Sequence, residues 1–113
     1  MNTKKDTLNT GVIYLQNMMD RFNSNVPGFR FALRVKSITG PYGEGMSFLL
    51  FFSVRDLIND IEETTEIRIK DYYYIPKKER NFFIIDMLSN VVAKIATMKT
   101  QKNMKEALIS KKE

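Results

Sequence analysis

The chain contains no cysteine and no histidine. The first absence excludes disulfides, thiolate zinc sites, iron–sulfur clusters and cysteine nucleophiles. The second removes the side chain that titrates closest to neutral pH and the commonest metal ligand. Tryptophan is missing as well. No long hydrophobic run occurs: the most apolar stretch, Phe48 to Phe52, is far shorter than the ~20 residues of a membrane-spanning helix. The opening residues, Met1 to Asp6, lead into Asn9 and Gly11 without an apolar signal core. These absences point away from hydrolytic, metal-dependent and redox enzymes. They lead us to expect a soluble, cytoplasmic, non-enzymatic protein with no cofactor, no metal and no membrane partner.

What is present fits a single globular domain over residues 1–113, with 1–4 and 110–113 expected to fray. Hydrophobic residues make up 43% and charged residues 27% of the 113, enough for a modest core and too apolar for a disordered chain. The net charge of +5 is unevenly spread. Residues 1–42 carry six basic and two acidic side chains, residues 43–75 three and seven, and residues 76–113 nine and four. Binding responds to local potential, so this basic–acidic–basic order says more than the total.

Leu8, Val12, Leu15, Met19 and Phe22 recur at steps of four and three, which predicts a helix from Lys5 to Asn23. Val26-Pro27-Gly28 ends it. From Phe29 to Thr39 the pattern changes to strict alternation: Phe29, Phe31, Leu33 and Val35 on one side, Arg30, Ala32, Arg34 and Lys36 on the other. The segment Gly40-Pro41-Tyr42-Gly43-Glu44-Gly45 reads as a turn between strands. A phosphate-loop reading of it fails, because a strand follows and Glu44 repels phosphate. Met46 to Phe52 is apolar on both faces, the mark of a central strand. Val54 to Glu63 is expected to be a short helix with Leu57, Ile58 and Ile61 inward. Thr65 to Ile75 is expected to be the third strand, paired with either the first or the second. Its one face would hold Ile67, Ile69, Tyr73 and Ile75, and its other Glu66, Arg68, Lys70, Tyr72 and Tyr74. Asp71 breaks the pattern and suggests a bulge. Pro76 suits a helix start. A long helix is expected from there, with a stripe of Ile84, Leu88, Val91, Val92, Ile95 and Met98, burial on more than one side over Phe82 to Met87, and a lysine-rich end at Lys99, Lys102 and Lys105. The fold class is therefore α+β: a small domain in the order α-β-β-α-β-α, with a three-stranded antiparallel sheet and an N-terminal, a short middle and a long C-terminal helix.

Three constellations carry possible chemistry. Asp56, Asp60 and Glu63 would share one helical face and offer carboxylate oxygens, but a single acidic helix face is ordinarily just solvated. The methionine- and phenylalanine-rich segments, Met46 to Phe52 and Phe82 to Met87, suit a protein interface as well as a core. The most specific constellation is the second face of the first and third strands: Arg30, Arg34 and Lys36 with Arg68, Lys70, Tyr72 and Tyr74, and Leu49 or Phe51 among them. Cations neutralise phosphates without sequence preference, and flat rings stack on unpaired bases. The competing reading has Tyr72 and Tyr74 covering a helix while the cations keep a surface wet. Lys4, Lys5 and the C-terminal lysines would extend the footprint.

The expected function is binding of single-stranded nucleic acid, DNA in the first instance, as an accessory to a larger replication or recombination enzyme. The alternative is a protein-binding adaptor or inhibitor, of the kind mobile elements carry, docking through an apolar strand or helix surface as an oligomer or with a larger partner.

Overall fold

The segment that is apolar on both faces lies where such a segment avoids water, in the middle of the sheet. The computed structural model describes residues 3–39 and 46–110. Helix α1 (Thr3–Asn25) leads into strands β1 (Phe29–Thr39), β2 (Met46–Asp56) and β3 (Ile61–Arg68). Helix α2 (Ile69–Tyr74), a 3-10 turn (Lys77–Glu79) and helix α3 (Arg80–Ser110) follow. The sheet order is β1-β2-β3 and both pairings are antiparallel. The class and the elements are those expected: α+β, an N-terminal helix, three antiparallel strands, a short helix and a long C-terminal one.

The short helix sits elsewhere in the chain than the sequence pattern suggested. Val54 to Glu63 is not helical. β2 runs on to Asp56, a tight turn follows, and β3 begins at Ile61. The turn is built around the Asp56 carboxylate. Its Oδ1 accepts the backbone N–H groups of Ile58 (2.9 Å) and Asn59 (3.0 Å), and its Oδ2 accepts the Asn59 side-chain amide (2.9 Å). Asp60 takes the left-handed conformation (φ 55°) that Asp and Asn tolerate better than most residues. Leu57 and Ile58, expected inward, are therefore exposed on the turn, Ile58 to 83%. Asp56, Asp60 and Glu63 consequently share no helical face. The third strand stops at Arg68, and residues 69–74 coil into α2. The segment from Gly40 to Gly45 lies outside the described residues, as do the side chains of Lys4, Lys5 and Leu8.

Both long helices pack on one face of the sheet. Leu15 and Met19 of α1 and Ile84, Leu88, Val91 and Ile95 of α3 meet Phe31, Leu33, Leu50, Phe52 and Val54 in a single core. Burying one such side chain contributes roughly 1.5–3 kcal/mol. The ion pair Lys94–Glu63 (2.9 Å) ties α3 to β3. At the sheet edge, α1 supplies polar contacts. The Asn23 amide donates to the Phe31 carbonyl (3.0 Å) and its oxygen accepts the Phe31 N–H (2.7 Å), while Gln16 donates to the Leu33 carbonyl (3.1 Å). The early part of α3 is less covered than expected: Ile84 is buried, but Phe82, Phe83 and Ile85 are exposed. Residues 77–109 are long and apolar enough to cross a membrane by length and composition, a test that core helices also pass. Here the apolar stripe faces the sheet.

The Asn59 side-chain amide, followed by the backbone N–H of Asn59, holds the Asp56 carboxyl below its ordinary range; burial opposes this, and the Ile58 N–H and Lys99 add to the lowering. A carboxyl lowered in the folded state contributes stability above its unfolded pKa of about 4, and loses it as pH falls through the folded value. Asp56→Ala should therefore lower the urea midpoint at pH 7, and the gap to the parent chain should narrow on acidification to about pH 2.5. A gap of constant size across that range would contradict the role given to the carboxylate.

Candidate nucleic-acid interface

Alternation along β1 and β2 sends every second side chain away from the helices. The register then sets which of them become neighbours. One row crosses the sheet as Lys36, Leu49 and Arg68; the next is Arg34, Phe51 and Glu66; then Ala32, Ser53 and Thr64; then Arg30, Arg55 and Glu62. Arg30, Arg34, Lys36 and Arg68 thus share one face, as expected, with Leu49 and Phe51 between them. Among the described residues, no helix covers this face. Lys36 and Arg68 stand two strands apart, about 10 Å by strand spacing.

Phe51 is the focus of the arrangement. The Lys36 ammonium lies 4.3 Å from its ring centroid and the Arg34 guanidinium carbon 5.5 Å. β2 leaves apolar side chains on the side without helices. The neighbouring strand β1 covers Phe51 with two long cations whose charged ends lie over the ring. Such exposed cation–π contacts contribute about 0.5–1 kcal/mol each. Arg55 adds a fifth cation to the face, one that sequence reasoning missed because β2 was expected to end before it. It is paired with Asp60 at the turn. Glu62 and Glu66 bring negative charge along β3, so the positive potential is strongest toward β1 and the row of Lys36 and Arg68.

Lys70, Tyr72 and Tyr74 do not belong to this face; they sit on α2. Tyr72 is 3% exposed and part of the core, so the expected stacking role for it is overturned: it lies among the helices. Tyr74 is 90% exposed and, two residues on, points away from Tyr72. Lys70, one turn before Tyr74, is exposed on that same side of α2. Of the seven residues singled out, four converge on the sheet, two share the outer side of α2 and one is buried. Lys99, Lys102 and Lys105 are exposed along the helical end of α3.

Compared with known proteins, the chain matches no family model, no curated sequence and no solved structure.

Burial pushes the Tyr72 and Tyr73 hydroxyls above their usual pKa of 10.0, with Arg80 partly opposing it in both. A phenol raised by folding supports the fold fully below its unfolded pKa and withdraws that support as pH climbs through the folded value. An alkaline absorbance titration should show Tyr72 and Tyr73 ionising late, with unfolding setting in as they do so. Tyr72→Phe should remove one lagging group. Five tyrosines titrating together in the folded chain would contradict the burial of Tyr72.

Proposed function

We propose that the open sheet face binds single-stranded nucleic acid, DNA in the first instance, and that the chain acts without chemistry of its own beside a larger replication or recombination enzyme. The observation that carries this reading is the cluster of Arg34 and Lys36 over Phe51, with Arg68 in the adjacent row. A base stacked on an aromatic ring is worth about 1–3 kcal/mol. That exceeds the roughly 0.5–1 kcal/mol of an exposed cation–π contact. A base can therefore take the place of the cations on Phe51, which frees Arg34 and Lys36 for the flanking phosphates. The face spans three strands and four rows, about 10 by 20 Å by strand spacings, room for only a few nucleotides. A footprint so small favours work in company with a larger enzyme.

The adaptor reading keeps one specific support: Phe82, 75% exposed, and Ile85 on the outer side of α3. It calls for an oligomer or a protein complex that Phe82→Ser dissociates. Sedimentation of the full chain as a monomer, unchanged by that substitution, counts against it.

The nucleic-acid reading is tested by titrating a labelled oligothymidylate at several salt concentrations. Arg34→Ala and Lys36→Ala should each weaken binding and flatten the log–log salt slope by roughly one unit or slightly less. Phe51→Ala should weaken binding by about 1–3 kcal/mol with the slope unchanged. Absence of saturable binding at low salt would end the proposal.

A further inference from the structure

On the helical side of the molecule, away from the open sheet face, α1, α2, the 3-10 turn and the start of α3 line a half-open cavity of about 700 Å³. Its wall brings together Tyr14, Tyr72, Tyr73, Lys77, Arg80 and Asn81. The cavity exists because of how α2 is seated. Tyr73 packs so closely on α1 that its hydroxyl fills the space a Cβ of residue 11 would take, so any larger residue there would have to displace the Tyr73 ring. This accounts for a glycine in mid-helix, a position where it otherwise costs about 1 kcal/mol relative to alanine. Across the rim, the Tyr14 hydroxyl donates to the Asn81 side-chain oxygen at 2.8 Å, joining α1 to α3.

Arg80 is held rigidly in this wall. Its Nε donates to the Ile75 carbonyl (3.0 Å) and its Nη2 to the Tyr73 carbonyl (3.0 Å). The guanidinium carbon lies 5.4 Å from the Tyr72 ring centroid and 4.9 Å from that of Tyr73. Neither of those hydrogen bonds uses Nη1, and neither carbonyl neutralises the charge. Lys77 is exposed at the same wall, and among the described residues neither it nor Arg80 forms an ion pair. The described lining thus holds two cations, three phenol rings and no carboxylate.

We propose that this pocket binds a small planar aromatic anion, with its carboxylate or phosphate on Lys77 and Arg80 and its ring against Tyr14 and Tyr73. An inorganic anion would make no use of the accessible Tyr14 and Tyr73 rings. A neutral aromatic molecule would leave the charges of Lys77 and Arg80 without a counter-ion among the described residues. The volume lies within the roughly 300–1,000 Å³ of ordinary small-ligand sites. Arg80, already fixed by its backbone contacts, loses little further freedom on binding. The site is independent of the sheet face and of the function proposed for it.

Because the chain has five tyrosines and no tryptophan, tyrosine emission reports on the cavity directly. Thymidine monophosphate and salicylate, as phosphate and carboxylate arms, are titrated against thymidine and inorganic phosphate. At least one aromatic anion should saturate the signal below about 1 mM, with both controls at least roughly tenfold weaker; which arm binds identifies the anionic group. Lys77→Gln, on an exposed residue that leaves the thermal transition in place, should weaken binding roughly tenfold. Arg80→Lys should weaken it further and is interpreted only if the variant folds. Saturation by neither anion, binding unaffected by Lys77→Gln, or binding abolished by Phe51→Ala would each overturn the proposal.

Discussion

Both long helices cover the same face of a three-stranded sheet, and most other features follow from this one-sidedness. A sheet that carries helices on one side has a second side that meets water. The middle strand nevertheless brings Leu49 and Phe51 to that side. Apolar side chains in that position need cover, and the neighbouring strands bring side chains within reach of them. Arg34 and Lys36 provide it for Phe51, with their charged ends over the ring. The concentration of positive charge and the placing of an aromatic ring at its centre are thus two outcomes of one packing problem. The same geometry separates the molecule into a flat cationic side and a helical side with a cavity.

The parts of the fold governed by repetition could be read from residue order. The strict alternation from Phe29 to Lys36 put Arg30, Arg34 and Lys36 on one face. The two-sided apolarity of Met46 to Phe52 placed that segment at the centre. The stripes of α1 and α3 supplied half of the buried core. Each of these signals is a period repeated several times over, so a single exceptional residue does not disturb it.

The segments that misled are short, and local chemistry overrides periodicity in them. Between Asp56 and Asp60, the residues Leu57, Ile58 and Ile61 mimic a helical face. The Asp56 carboxylate instead collects the N–H groups of the following residues and closes a turn. From Ile69 to Tyr74 the sequence carries on the alternation of β3, with Asp71 as its one fault. That fault marked the true boundary. Coiling the chain after Arg68 brings Tyr72 into the core and leaves Asp71 in water, whereas an extended chain would have turned Asp71 toward the apolar side. The cavity wall was invisible to pattern reading because its members come from three helices and the 3-10 turn and share no spacing.

The contact of Asn23 with β1 shows how a polar side chain can settle a question that oily surfaces leave open. One amide exchanges two hydrogen bonds with the backbone of Phe31, as a neighbouring strand would. A hydrophobic stripe recurring every three to four residues presents nearly the same profile after a slide of two turns, so greasy packing alone holds α1 only loosely along its axis. An amide docked on one peptide group has no equivalent position elsewhere. Asn23 acts as an index pin: it fixes how far along the strand the helix sits, and so the height at which every residue of α1, Tyr14 included, faces the rest of the molecule.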